Sequence, residues 1–280
     1  MIDKDFKNFI SESLKEDIKD GDHTSLSIIH KNSQSNANLL IKDEGIIAGI
    51  ELAIMIFKEV DPDLAIKIFK KDGEKVKNGD VAFSVKGSSM SILKSERLVL
   101  NCMQHMSSIA TKTNYLNSLI KNKKTKLLDT RKTIPLNRKL QKWAVRIGGG
   151  NNHRMGLYDM IMIKDNHIDI AKGIENAISL SQDYLYKKDK KLKIIVEARN
   201  LNEVKEIIKI GGVDRILLDN FNFENTKKAV ELVRGKYKLE SSGNITVKTI
   251  EKYADCGVDY ISVGNLTTAI NTFDLSLKII

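Results

Sequence analysis

Residues 127–167, LLDTRKTIPLNRKLQKWAVRIGGGNNHRMGLYDMIMIKDNH, decide the fold of the chain. Two short apolar runs in this stretch, LLDT at 127–130 and MIMIKD at 160–165, end abruptly in ionisable residues. A buried parallel strand is a nearly continuous apolar run, and a barrel strand presents polar side chains at its carboxyl end. The stretch therefore predicts two buried strands whose last residues, including Asp129 and Lys164, reach an active site.

The same pattern recurs through the rest of the chain. After Lys124, apolar runs alternate with helical stretches, and four of the runs end at residues about 22 positions apart, namely Glu197, Asp219, Ser242 and Gly264. This spacing is the length of one strand–helix unit, so it predicts parallel strands with right-handed crossovers. Six such runs are enough for an α/β barrel, and they begin near residues 126, 160, 193, 215, 238 and 259.

The first part of the chain is organised differently. Residues 3–18 have the apolar spacing of an amphipathic helix and lack the apolar core of a signal peptide. Residues 37–49 and 66–89 alternate short apolar runs with glycine turns, and residues 51–60 have helical spacing that Asp61 and Pro62 interrupt. The pattern is helical again from Ile92 to about Leu119, a length sufficient for two helices. We therefore predict an α+β domain before the barrel.

Composition restricts the location and the partners of the chain. Its 280 residues carry a net charge of +10, contain two cysteines without a CxxC spacing, and include no apolar run of membrane-spanning length. We expect a cytoplasmic protein that binds neither membranes nor nucleic acid. A basic barrel that binds RNA is the alternative from another functional class, but an aromatic content of 6% provides few side chains on which bases can stack.

The charged residues of residues 127–167 indicate an anionic substrate. Arginine binds carboxylates and phosphates in a bidentate manner, and lysine acts as a point charge. The central carboxylates are Asp129, Glu197 and Asp219, and two acidic strand ends suit ribose hydroxyls or Mg²⁺. A Schiff-base role for Lys164, as in an aldolase-like barrel, is the alternative that spacing leaves open. The expected cations are Arg131, Lys132, His153, Arg154 and Lys164, with Arg97 and Arg138 as further candidates.

The histidines and glycines of this stretch match neither a zinc site nor a P-loop. His153 and His167 lie fourteen residues apart without an HxxxH or cysteine partner, and GGGNNHR lacks the GK[ST] ending. His153 beside Arg154 and three glycines instead favours ligand binding, because glycines let the backbone approach a ligand closely.

Several motifs closely resemble, in order and spacing, those of the quinolinate phosphoribosyltransferase family. They are DTRKT, GGGNNHRMGLYD, IKDNH, LLDN, ESSGNIT and DYISVGNLT, with EDxxxGDHTS at 16–25, EGIIAGIELA at 44–53 and SERLVLNCMQHMSSIAT at 95–111. The resemblance implies an incomplete α/β (TIM-like) barrel of about six strands at 111–268 and an α+β sandwich domain at 1–110, to which residues 269–280 return. It also implies a homodimer, or a multiple of dimers, that converts quinolinate and phosphoribosyl pyrophosphate, with Mg²⁺, to nicotinate mononucleotide, CO₂ and pyrophosphate in NAD biosynthesis.

The resemblance also assigns roles to residues. Those expected to bind quinolinate are Arg131, His153, Arg154 and Lys164, with Arg97 supplied across a dimer interface. Those expected to bind phosphoribosyl pyrophosphate are Lys132, Glu197, Asp219, Ser242, Gly243 and Gly264. The expected catalytic residues are Lys132, Lys164, Glu197 and Asp219, with Mg²⁺ near the last two.

Four positions depart from the family's pattern. The family often has Thr-Thr-Pro-Gly where this chain has Ile134 and Leu136 at the second and fourth positions, Asn244 stands where a second glycine is common, and Ile195 replaces the first acid of an EVE motif. A related pyrophosphorylase-like protein linked to molybdenum uptake, or a phosphoribosyltransferase for another aromatic acid, is the alternative within this fold. The number of cations favours a dicarboxylate substrate.

Overall fold

A computed structural model describes residues 4–280, and these residues form two compact units. The first unit contains the described residues up to Lys112 together with Ile270–Ile280, and the second unit is Thr113–Ala269. Asp3, the first residue of the predicted N-terminal helix, lies outside the described residues. Among residues 4–280, no helix combines the length and apolarity needed to cross a membrane.

The elements up to and including the long helix α4 (Ser89–Leu119) are five short strands and four helices, in a different arrangement from the rest of the described chain. The predicted helix over 92–119 is one continuous 31-residue helix, α4, that is longer than expected. In chain order the elements are α1 (Lys4–Ile18), α2 (His23–Ile28), β1 (Gln34–Ile41), β2 (Gly45–Ile46), α3 (Ile50–Val60), β3 (Ala65–Ile68), β4 (Lys75–Val76), β5 (Val81–Ser88) and α4 (Ser89–Leu119).

After α4, strands and helices alternate as the sequence predicts. The elements are β6 (Lys126–Leu128), α5 (Arg138–Ile147), β7 (Ile161–Ile163), α6 (Asp165–Ile170), α7 (Ile174–Lys187), β8 (Ile194–Ala198), α8 (Leu201–Ile210), β9 (Arg215–Asp219), α9 (Phe223–Val233), β10 (Lys238–Ser242), α10 (Ile250–Asp255), β11 (Tyr260–Ser262), α11 (Asn265–Thr268) and β12 (Leu275–Ile279).

The second unit is built on one six-stranded parallel sheet in the order β6-β11-β10-β9-β8-β7. The first two strands of the barrel in sequence, β6 and β7, are thus the two edges of the sheet and are not paired with each other. On the free side of β6, a single parallel bridge joins Leu128 to Asn151. The predicted incomplete barrel of six strands is confirmed.

The strands of the barrel are apolar because both faces of the sheet are covered. All five residues of β8 are buried, and Ile216 and Leu218 of β9 have no exposed surface. This pattern is expected when helices pack on one face of parallel strands and a barrel interior lies on the other. The ionisable residues at the strand ends therefore stand out as the exceptions that sequence reasoning identified.

The first unit contains antiparallel sheets, which confirms the predicted α+β character. Its main sheet has the order β12-β1-β5-β3, and a separate ribbon pairs β2 with β4. The C-terminal strand β12 pairs with β1, with Leu277 opposite Leu39. Helix α3 ends at Val60, before Asp61 and Pro62, as predicted.

Two positions where the family commonly has glycine have a left-handed backbone in this chain. The φ angle is +63° at Leu136 and +50° at Asn244. Asparagine tolerates this region better than other non-glycine residues, whereas a leucine there is strained by its Cβ. The side chain of Leu136 is 100% exposed, so it makes no packing contact in the described structure that offsets the strain.

Replacing Leu136 with glycine is expected to stabilise the protein. The change removes a left-handed strain of about 1–2 kcal/mol, and the extra freedom of glycine in the unfolded chain offsets about 0.5–1 kcal/mol. We expect an increase of about 0.5 kcal/mol in the free energy of unfolding, measured as a shift in the urea midpoint. Leu136→Ala retains the Cβ and should leave the midpoint unchanged. A lower midpoint for Leu136→Gly than for Leu136→Ala would contradict this explanation.

Candidate active site

The carboxyl ends of all six parallel strands open onto one cavity of about 710 Å³. Its wall contains side chains or backbone from the segments after β6, β7, β8, β9, β10 and β11, because parallel strands end at the same edge of a sheet. Ten residues singled out from the sequence line this cavity, namely Arg131, Lys132, His153, Arg154, Lys164, Glu197, Asp219, Ser242, Gly243 and Gly264. Arg97 is exposed on α4 in the first unit and is not among the lining residues.

Lys164 and Glu197 form an ion pair at the ends of neighbouring strands. The Lys164 Nζ lies 2.7 Å from Glu197 Oε2, and the side chains are 46% and 7% exposed. The β7–β8 pairing, with Ile163 opposite Val196, brings these two strand ends together. A half-exposed amine paired with a carboxylate lacks the apolar surroundings that activate a Schiff-base lysine, so the geometry disfavours the aldolase-like alternative.

Arg131 and Arg154 concentrate positive charge on one side of the cavity. Burial and the nearby charge of Arg131 lower the pKa of Arg154, and Asp159 opposes this shift. One Nη of Arg154 donates to the Met160 carbonyl at 3.1 Å, which fixes the guanidinium. Two like charges held close together in a partly buried wall favour binding of a ligand with more than one negative charge.

His153 is held between backbone and a buried carboxylate. Its Nδ1 accepts the Arg154 N–H at 2.7 Å, and its Nε2 lies 3.2 Å from Glu240 Oε2 without the alignment of a hydrogen bond. The same Oε2 accepts from Arg215 Nη1 at 2.7 Å. Burial opposes ionisation of Glu240, but His153 and Arg215 outweigh it and hold the pKa of Glu240 below its ordinary value.

The glycines that line the cavity after β10 and β11 leave room for a ligand and for neighbouring side chains. Gly243 has φ +94°, and a Cβ there would lie 2.1 Å from Asn220 Oδ1. A Cβ on Gly264 would lie 3.0 Å from Lys132 Cδ, so the lysine stem passes beside this glycine. Asn244 Nδ2 donates to Asn220 Oδ1 at 3.1 Å, which connects the ends of β9 and β10.

Two charged residues that the sequence suggested for the site have other contacts. Asp129 was expected among the central carboxylates, but it is completely buried and forms an ion pair with Lys142. Arg138 donates to Thr133 Oγ1 and to the Met155 carbonyl, both at 3.0 Å, and is not a lining residue. Both residues support loops beside the cavity and do not face its interior.

Two of the polar wall residues that sequence reasoning missed, Glu240 and Asn220, contact residues that it singled out. Glu240 was part of the ESSGN motif, but its position in the middle of β10 gave no sign of its contacts with His153 and Arg215. Asn220 donates through Nδ2 to Asp219 Oδ2 at 3.0 Å and so orients that carboxylate. Asn220 has a left-handed φ of +53° directly after the strand-ending aspartate. An Asp-Asn pair at a strand end is a sequence sign of such a turn.

These features define an α/β barrel with an anion-binding pocket at the carboxyl ends of its strands. Comparison with known sequences matches residues 22–107 to the N-terminal domain, and residues 109–278 to the C-terminal domain, of quinolinate phosphoribosyl transferase. The chain belongs to the quinolinate phosphoribosyltransferase family.

Individual relatives agree over nearly the whole chain. It is 42% identical to a chloroplastic carboxylating nicotinate-nucleotide pyrophosphorylase of Oryza sativa subsp. japonica, over 98% of this chain and 78% of the relative. It is 36% identical to a probable carboxylating nicotinate-nucleotide pyrophosphorylase of Bacillus subtilis, over 98% of this chain and 93% of the relative. The solved nicotinate-nucleotide pyrophosphorylase of Francisella tularensis superposes with a TM-score of 0.91 at 41% identity, over 99% and 96%.

Glu240 should stabilise the fold in a pH-dependent way. Because its pKa is lowered by folding, its contribution is present above the ordinary glutamate pKa of about 4.3 and is lost as the pH falls through the folded value. Glu240→Gln should lower the free energy of unfolding by about 3 kcal/mol at pH 7. The difference from the unmodified protein should shrink below about pH 4. Urea unfolding between pH 3 and 7 tests this, and a constant difference would contradict it.

Proposed function

We propose how this pocket carries out the reaction of the family. The chain is a phosphoribosyltransferase of de novo NAD biosynthesis, which joins quinolinate to phosphoribosyl pyrophosphate and releases CO₂ and pyrophosphate. The observation that carries the proposed mechanism is the division of one cavity into a cationic wall and a glycine-rich wall. The first suits an aromatic dicarboxylate, and the second suits a ribose phosphate.

The cationic wall binds quinolinate in this proposal. Arg131 and Arg154 are the fork-shaped donors that match carboxylates, and Lys164 adds a point charge. The ring of His153 completes the wall, and its backbone contact with Arg154 keeps the two residues in a fixed relation. The two nearby guanidinium groups repel each other, and a bound dianion offsets this repulsion. Binding of a dicarboxylate is therefore favoured over binding of a monocarboxylate.

The glycine-rich wall binds phosphoribosyl pyrophosphate. The backbone at Gly243 and the start of α11 after Gly264 offer N–H groups to the 5′-phosphate, with the Ser242 side chain beside them. Asp219 and Glu197 face the ribose hydroxyls. Lys132, whose stem passes Gly264, is placed to stabilise the pyrophosphate.

The chemistry follows from this arrangement. The quinolinate nitrogen attacks the anomeric carbon, the bond to pyrophosphate breaks, and a transition state with oxocarbenium character forms. The carboxylates of Glu197 and Asp219 stabilise its positive charge, and Asn220 holds Asp219 in place. When the 2-carboxylate leaves as CO₂, the quaternary ring nitrogen stabilises the electron pair left on C2, and a proton then replaces the carboxylate. Tight binding of the 2-carboxylate would oppose its loss, so the arginines should hold mainly the 3-carboxylate.

Mg²⁺ fits this pocket as an ion brought largely by the substrate. In the described part of the chain, no cluster of three or more His, Cys, Asp or Glu residues can hold a metal by itself. Glu197 and Asp219 supply two carboxylates at strand ends, and Mg²⁺ commonly combines one or two carboxylates with phosphate oxygens and water. When bound, the ion would neutralise charge on the departing pyrophosphate.

We also propose a homodimer and a cytoplasmic location. The homodimer is supported by the family resemblance, in which the residue matching Arg97, exposed here on α4, reaches quinolinate from a second copy of the chain. Cys102 and Cys256 are free and buried, and burial raises the pKa of the Cys102 thiol to about 12. Such unreactive thiols suit a reducing compartment.

The arginine assignment predicts the effect of two substitutions on the binding of nicotinate, which retains only the 3-carboxylate. Arg131→Ala and Arg154→Ala should each weaken nicotinate binding by about ten-fold, because each removes a charge-assisted hydrogen bond. Lys191→Ala, which removes one exposed positive charge before β8, is the matched control and should have no effect. Inhibition constants for nicotinate measure this, and unchanged values in both arginine variants would contradict the assignment.

The proposed reaction itself is tested by product release. Purified protein with quinolinate, phosphoribosyl pyrophosphate and Mg²⁺ should release CO₂ and pyrophosphate in equal amounts, and omission of either substrate should abolish both. Phthalate, which lacks the ring nitrogen, should give no product. The absence of turnover with quinolinate, or turnover with another aromatic acid in its place, would contradict the proposal.

A further inference from the structure

Asp129 and Lys142 form a completely buried ion pair beside the pocket. Their side chains are 0% and 1% exposed, and neither residue lines the cavity. Asp129 follows β6, and Lys142 lies on α5. Burial raises the pKa of Asp129 and lowers that of Lys142, and the attraction between the two groups opposes both shifts. None of the chemistry described for the pocket uses either residue.

The pair binds both backbone polar groups of one pocket residue. Asp129 Oδ1 accepts the His153 N–H at 2.8 Å, and Lys142 Nζ donates to the His153 carbonyl at 3.1 Å. Asn152 Nδ2 adds a third connection, because it donates to Asp129 Oδ2 at 2.5 Å and to the Lys142 carbonyl at 2.8 Å. The backbone of residues 152–153 is therefore fixed from both sides by one charged pair.

The same pair connects two separate parts of the cationic wall. Asp129 directly precedes Thr130, Arg131 and Lys132, which line the cavity, and the residues it holds directly precede Arg154. A buried ion pair contributes little net stability compared with an apolar pair of similar size, because desolvation offsets its attraction. Its specific effect is directional, since each hydrogen bond fixes the position of a backbone group.

We propose that Asp129 and Lys142 are positioning residues for the acid substrate, which set the distance between Arg131 and Arg154. This inference rests on the proposed function of the pocket. The hydrogen bonds given above for the pair go to residues 152–153 and not to the segments after β10 and β11 that form the glycine-rich wall. Lys132, three residues after Asp129, is held separately, because Thr267 Oγ1 donates to its carbonyl at 2.7 Å. Removal of either charged group should therefore weaken quinolinate binding selectively. Misplacement of substrate-positioning groups by about 1 Å can lower the rate of a reaction on the order of a hundred-fold.

Lys142→Met tests the proposal, because it retains a long apolar stem and removes the charge and the donor. We expect the KM for quinolinate to rise by about ten-fold or more, and the KM for phosphoribosyl pyrophosphate to change by less than about two-fold. Asp129→Asn combined with Lys142→Gln restores a neutral donor–acceptor pair and should recover much of the quinolinate affinity. Ile207→Ala, in the buried core of α8, is the control for lowered stability and should leave both KM values unchanged.

Hydrogen exchange of residues 152–154 gives a readout that does not depend on catalysis. Lys142→Met should accelerate exchange at the His153 amide, and Ile207→Ala should not. If Lys142→Met does not fold, Asn152→Ala removes one connection and leaves the ion pair in place, with the same selective effect expected to a smaller degree. Equal weakening of both substrates, or unchanged quinolinate KM and exchange in a folded variant, would overturn the proposal. A failure of the unmodified protein to bind quinolinate would instead contradict the proposed function, and the exchange result would still test the positioning.

Discussion

The convergence of six parallel strands at one edge of a sheet is the constraint on which the site depends. Strands β8 and β9 are apolar along most of their length, and the polar residues that they give to the cavity, Glu197 and Asp219, lie at or near their carboxyl ends. Residues as distant in sequence as Lys132 and Gly264 thereby become neighbours. The open edge between β6 and β7 adds a further wall, because the segment after Asn151 runs beside β6 and brings His153 and Arg154 to the cavity.

The charges around the cavity are arranged in pairs that leave a net positive surface. Glu197 offsets Lys164, and Glu240 lies beneath the site with Arg215 and His153. Asp159 attracts Arg154, but the repulsion between Arg131 and Arg154 remains and favours a dianion. The acidic partners thus hold the wall in place and keep part of its charge available for the substrate.

The lining residues could be predicted because each follows a local pattern. Glu197 and Asp219 end apolar runs at a regular spacing, which specifies their common edge, and Lys164 ends another apolar run. Asp129 follows the same pattern but is an anchor for Lys142, because only the packing of α5 determines that the carboxylate is buried. Glu240 was missed for the opposite reason, since its partners Arg215 and His153 are distant in sequence. The left-handed backbone at Leu136 is visible only in the structure, because the sequence comparison indicated no more than that glycine is common at this position.

The central claim is that one cavity is divided between an acid-binding wall and a phosphate-binding wall. A crystal structure with quinolinate and an unreactive analogue of phosphoribosyl pyrophosphate tests this claim most directly. We expect the quinolinate carboxylates to contact Arg131, Arg154 and Lys164, and the 5′-phosphate to contact the backbone at Gly243 and Gly264. A structure with the phosphate on the arginines and the carboxylates beside the glycines would contradict it.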